Sequence, residues 1–180
     1  MQPETNQKLL FAQSQLDSLS AALEDPQTPR DQLLTKGLAD SCVYQLMAVW
    51  HSLLQEILAN YKVQPPVSNP YLGLGMTVNY IEVCQQQGLV APELSYALKL
   101  EKNGQSCLGL LLALFDKALI GTPVQDVFVE SEVSQNVENR IAIEQLGATE
   151  PLQQQCQQLA HILKELKALI QHCRQTMQEY

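Results

Sequence analysis

Apolar residues return every three or four positions through most of this chain, the period of an α-helix with one buried face. Leu9, Ala12, Leu16, Leu19 and Leu23 lay such a stripe along a first helix over about residues 5–24. Asp25-Pro26 and Gln27-Thr28-Pro29 interrupt it. Thr28 has the form of an N-cap, with Pro29 at the first helical position and Asp31 in a first turn where acid suits the helix dipole. The second helix then runs over about 29–61. At 100° per residue, Leu38, Cys42, Val43, Leu46, Val49, Trp50, Leu53, Leu54, Ile57 and Tyr61 fall on one half of it, and Ser41, Gln45, Ser52, Gln55, Glu56 and Asn60 on the other. An apolar arc that wide faces more than one neighbour, as a central bundle helix does. Gly37, inside this helix, marks a bend or a close helix crossing.

Pro65-Pro66, Asn69-Pro70, Gly73 and Gly75 make residues 62–75 a connection. A third helix spans about 77–87 and stops at Gly88. Pro92 opens a fourth to about Lys102, broken by Asn103-Gly104. A fifth covers about 106–120 and is closed by Gly121 and Pro123; its leucines and Phe115 leave only Asp116 and Lys117 off the arc, so it is expected to be buried on most sides. In 121–148, Val127-Phe128-Val129 and Ile141-Ala142-Ile143 suit either a small hairpin or an irregular loop, and the loop is the expected form. The last helix, about 149–178, carries Leu152, Cys156, Leu159, Leu163, Leu166, Ile170, Cys173 and Met177 in steps of four and three, a heptad seam that completes the bundle or pairs with another chain. The expected fold is all-α: a four- to five-helix bundle with a long central second helix and a long C-terminal helix, in one domain over 1–180. No repeat of 20–50 residues points to a solenoid.

Composition narrows the possible partners. Hydrophobic residues at 46% against 17% charged favour a folded chain, with about two dozen glutamines solvating helix faces without charge. The net charge of −8 and 11 scattered basic residues disfavour nucleic acid, which needs clustered Lys and Arg, and disfavour an anionic membrane surface. The stretch Leu108 to Phe115 is too short to span a bilayer, and the N-terminal residues do not resemble a signal peptide. Five cysteines without close pairing suggest reduced thiols and a cytoplasmic protein.

Catalytic and metal motifs are absent from the sequence. A di-iron bundle needs Glu-x-x-His pairs, but Ala48, Gln158 and Leu169 stand three residues before His51, His161 and His172. Zinc spacings, a phosphate-binding P-loop and a nucleophile elbow are missing, and Gly73-Leu74-Gly75 lacks the third glycine of a dinucleotide fingerprint. No metal or cofactor is implied. One constellation stands out: Asp40, Tyr44, Met47, His51 and Gln55 share a sector of about 80° on the second helix. Asp40, Tyr44 and His51 are the candidate pocket residues, with His51 the natural general base. The plainer reading is the margin between apolar and polar halves. His161 and His172 read as solvated residues on the polar sides of the last helix, and Cys156 and Cys173 as small hydrophobes of the seam.

The opening Thr5-Asn6-Gln7-Lys8-Leu9-Leu10-Phe11-Ala12, followed by a long Leu-rich helix, resembles an uncharacterised family of small bacterial all-helical proteins. That resemblance implies a helical fold and no activity. The size and helix content are also similar to the RNA-cleaving bundles of toxin–antitoxin systems, but Arg30, Arg140 and Arg174 lack the His four to six residues later that those carry. The expectation is a non-enzymatic interaction module that binds a protein partner or itself, with a small-molecule binder or enzyme sited between helices as the alternative.

Overall fold

Two capping motifs and a tight turn set the helix boundaries. The structure is a computed structural model describing residues 4–24, 28–65, 76–120 and 149–178. The 121–148 segment and most of the 62–75 connection lie outside the described residues. The helices are α1 (Glu4–Glu24), α2 (Pro29–Asn60), α3 (Met76–Gln86), α4 (Pro92–Lys102), α5 (Cys107–Ile120) and α6 (Thr149–Gln178), with no strand among the described residues. The chain forms the expected all-α bundle. Among the described residues the helices number six, at the six places the sequence pattern marks, with α3 and α4 short pieces of 11 residues each.

At the start of α2 the Thr28 side chain accepts from the Asp31 N–H at 3.2 Å, and the Thr28 N–H donates to the Asp31 carboxylate at 2.9 Å. This capping box satisfies two of the helix's orphan donors and contributes about 1 kcal/mol. The same helix ends in a Schellman motif: Lys62 N–H donates to Ala59 O (3.1 Å) and Val63 N–H to Leu58 O (2.9 Å), with Lys62 left-handed at φ 56°. Gly88 does the same after α3, at φ 70°. The sequence marks the second stop with glycine and leaves the first unmarked.

Polar contacts give the helix directions. Thr5 meets Glu56, so α1 and α2 are antiparallel. Arg174 reaches Asn6, Lys167 reaches Gln13 and Cys156 lies beside Ser20, so α6 is antiparallel to α1 and parallel to α2. α1 covers one side of the α2–α6 pair. On the other side α5 packs near Tyr44, while the α3–α4 hairpin covers the C-terminal half, where Tyr61 meets Glu93. α2 touches all five other helices.

One hydrophobic core runs through all six helices. The heptad seam of α6 lies within it: Leu159, Leu163, Leu166, Ile170 and Cys173 are buried, and Leu152, Cys156 and Met177 pack at its edge. Ile162 and Leu169 are buried beside the seam, and α6 contacts α1, α2, α4 and α5. On α2, Ala39, Met47 and Leu58 are buried beyond the expected arc, and so is Ser52, which the helical wheel had assigned to the polar half. α5 is less enclosed near its end than its sequence suggests, since Leu119, on its apolar arc, is 54% exposed, while Lys117 is exposed as its place off the arc implies.

The close approach expected at Gly37 occurs at Gly109 instead. A Cβ at 37 would meet open space. A Cβ at 109 would overlap the Asn103 carbonyl and stand 2.8 Å from the Gly104 Cα. The α4–α5 turn folds back onto the first turn of α5, where Ser106 accepts from the Gly109 N–H at 3.0 Å and donates to the Leu100 carbonyl. Gly37→Ala should therefore stabilise the fold by about 1 kcal/mol by removing helix-interior glycine. Gly109→Ala should destabilise it by about 1–3 kcal/mol through overpacking. Chemical denaturation of the two variants checks both signs; equal effects would refute the assignment.

Candidate functional site

A polar clamp joins three helices at one end of the bundle. The Arg174 guanidinium donates to both carboxylate oxygens of Glu56, at 2.6 and 2.9 Å, and to the Asn6 side chain at 2.9 Å. Thr5 adds a hydroxyl donor to Glu56 at 2.7 Å. Burial alone would push the Glu56 carboxyl up, but the hydrogen bonds from Arg174 and Thr5, with the guanidinium charge, hold it below its ordinary value. Three hydrogen bonds to Glu56, two from Arg174 and one from Thr5, fill most of its lone-pair capacity and tie α1, α2 and α6 together. A second polar tie fastens α4 to the end of α2, where the Tyr61 hydroxyl donates to buried Glu93 at 2.9 Å.

The three residues singled out on α2 have different neighbours. Asp40 is half-buried. Tyr44 is exposed and sets its ring edge-on to Phe115 of α5, with centroids 5.5 Å apart. His51 lies seven residues on from Tyr44, about 10 Å along the helix axis. It is half-buried and edge-on to Tyr80 of α3 at 6.2 Å. Burial pushes the His51 imidazole below its ordinary value, the charge of Lys8 pushes it further, and Glu4 opposes. Among the described residues no hydrogen bond joins the three. They share a face of α2 but belong to contacts with different helices.

A groove of about 350 Å³ opens instead between α4, α5 and α6. Tyr96 and Leu100 line it from α4, Gln105 and Ser106 from the turn, and Cys107 from α5. α6 contributes His161, Glu165, Ala168, Leu169 and His172. Tyr96 and His172 form an aromatic corner with centroids 5.1 Å apart and planes at 65°. His161 and His172 are exposed, as their place on the polar side of α6 suggests, but both stand at the margin of this groove. The spacing 161, 165, 168, 172 is a single helical face and was present in the sequence. Its facing wall, from α4 and α5, becomes visible only once the chain is folded.

Burial shifts four of the five thiols toward the protonated form. Burial pushes Cys42 up to about 11, with Cys156 adding to it, and pushes Cys173 up to about 12, with Glu93 and Glu56 adding. Burial likewise raises Cys84, and burial with the Glu165 charge raises Cys107. Among the described residues no group of three or more His, Cys, Asp or Glu side chains is placed to hold a metal ion. No helix among them is long and apolar enough to cross a membrane.

No protein-family model matches the chain, no curated protein matches it, and no solved structure matches it. The geometry alone therefore carries the functional argument.

Two outcomes test this account. Glu56, with its folded value lowered, contributes stability that is complete above its unfolded value and lost as pH falls through the folded one. His51, also lowered, loses its contribution as pH falls from its unfolded value toward its folded one. Stability should thus decline on acidification in two steps, the His51 step abolished by His51→Gln and the lower step by Glu56→Gln. Arg174→Met should cost about 2 kcal/mol at neutral pH, because it leaves a partly buried carboxylate without its donors. Urea titrations across pH measure all three. Brief iodoacetamide treatment of the native protein at neutral pH should label half-exposed Cys156 and spare Cys42, Cys84 and Cys173 until unfolding. Rapid labelling of the buried three would contradict the packing.

Proposed function

We propose that the chain is a non-enzymatic interaction module that binds a protein partner or a second copy of itself through the outer face of α1. The observation that carries this reading is a pair of adjacent large apolar side chains outside the core: Leu10 is 65% exposed and Phe11 51%. They point about 100° apart around α1, away from the buried Thr5, Ala12, Leu16 and Leu19, with the exposed Gln7, Ser14 and Ser18 between them and the Lys8–Glu4 pair beside Phe11. Fully burying a side chain of that size is worth about 1.5–3 kcal/mol, so a partner that covers what is exposed of both gains a usable anchor. Single exposed hydrophobes are ordinary, whereas two on one outer face suit a docking surface. Leu33 and Leu34 form a second such pair in the first turns of α2.

The remainder of the molecule is consistent with that role. Glu56, Arg174, Tyr61 and Glu93 are taken up in ties between helices, and burial holds Cys42 and Cys173 protonated. A cytoplasmic setting belongs to the same reading and is supported by five free cysteines. The alternative, a small-molecule site between helices, has one specific observation in its favour: the groove between α4, α5 and α6.

Sedimentation velocity over a wide concentration range, with crosslinking of the protein in its own lysate, tests the α1 surface. Self-association, or one recurrent partner crosslinked beside Leu10 and Phe11, is expected, and Leu10→Glu with Phe11→Glu should reduce it at least tenfold. A monomer at every concentration with no crosslink at that face would refute the reading.

A further inference from the structure

The groove between α4, α5 and α6 has a chemistry of its own, independent of the α1 face. Its floor is apolar, from Leu100, Ala168 and Leu169. Glu165 supplies a carboxylate, and among the described residues that carboxylate forms no ion pair. Tyr96, edge-to-face with His172, supplies an aromatic ring of the kind whose face attracts a cation. Both Tyr96 and Glu165 are accessible from solvent. At about 350 Å³ the space is at the small end of ligand-site volumes. The net charge of −8 makes the surrounding field attractive to cations and unfavourable to anions. Gln105 adds an amide that can accept or donate at the open end.

We propose that this groove binds a small organic ammonium ion, its charged nitrogen paired with Glu165 and its hydrocarbon part laid on Leu100 and Leu169 beside the Tyr96–His172 corner. An anion would meet the Glu165 carboxylate. A neutral apolar ligand would leave that carboxylate desolvated without a partner, which costs binding energy. The bound cation satisfies the carboxylate and covers the apolar floor together. No bond is made or broken.

The test uses the full-length 15N-labelled chain, with 2-phenylethylammonium as probe and 2-phenylethanol as its neutral counterpart, followed by amide chemical shifts. Saturable shifts are expected at Tyr96, Leu100, Cys107, Glu165, Leu169 and His172. The alcohol should bind at least about tenfold more weakly, and Glu165→Gln should weaken the ammonium by about tenfold. Tyr96→Ala should weaken it by about two- to fivefold. Both substitutions fall on exposed side chains, and an unchanged melting temperature confirms that the fold is intact. The proposal is overturned by the absence of a saturable shift at these residues, by equal binding of the alcohol, or by unchanged affinity in Glu165→Gln. It fails or stands separately from the α1 surface, whose test reads association and not these shifts.

Discussion

The architecture depends on the burial of α2. From Ala39 to Leu58 this helix buries residues on nearly every side, so it is stable only when enclosed. Enclosure requires neighbours all round, and the other five helices each contact it. α1 is supplied by a short connection after Glu24 and runs antiparallel. α6 lies parallel to α2, and a parallel neighbour cannot be reached by a tight turn. The chain between Asn60 and Thr149 makes that crossing, and α3, α4 and α5 within it cover the other side of the α2–α6 pair. The capping box at Thr28 and the Schellman turn at Lys62 define where this central element begins and ends.

Apolar packing alone leaves the axial position of α6 loosely defined, because a leucine stripe can shift by one turn and still bury leucines. The Glu56–Arg174 pair removes that freedom. Its two parallel hydrogen bonds fit a single register, and Asn6 and Thr5 bring α1 into the same register. Partly buried pairs add modest net stability, since desolvation offsets much of the attraction. The contribution here is to positional uniqueness, because a shifted α6 would separate two half-buried charged groups from their hydrogen-bond partners. Tyr61 and Glu93 do the same for α4 against the end of α2.

Helix positions were legible in the sequence because each carries its own period and punctuation: the Leu9–Leu23 stripe, Thr28-Pro29, Gly88, Pro92 and the α6 heptad. The breadth of burial was less legible. A helical wheel gives angle and not the number of neighbours, so Ser52 read as solvated while five surrounding helices enclose α2. Gly37 and Gly109 show the same limit, since crowding at 109 comes from a turn whose path no local pattern specifies. The Asp40, Tyr44 and His51 sector was a statement of angle too. Different helices pack at different heights along α2, so Tyr44 meets Phe115 while His51 meets Tyr80. The groove was half legible: its α6 wall is a helical face in the sequence, and its α4–α5 wall is tertiary.

These constraints decide where recognition can reside in this molecule. The interior is filled by large apolar side chains, and the polar pairs Glu56–Arg174 and Tyr61–Glu93 fasten helices together beside it. A ligand entering there would displace either a packed leucine or a tie such as Glu56–Arg174, and both changes cost more than a small ligand returns. The surface carries no such cost. Leu10 and Phe11 contribute nothing to the core, and Glu165 and Tyr96 stand at a groove outside it, so each can be recruited or altered without disturbing the fold. Stability is thus concentrated around the α2–α6 pair, while the exposed side chains of α1, α4 and α6 lie outside the core.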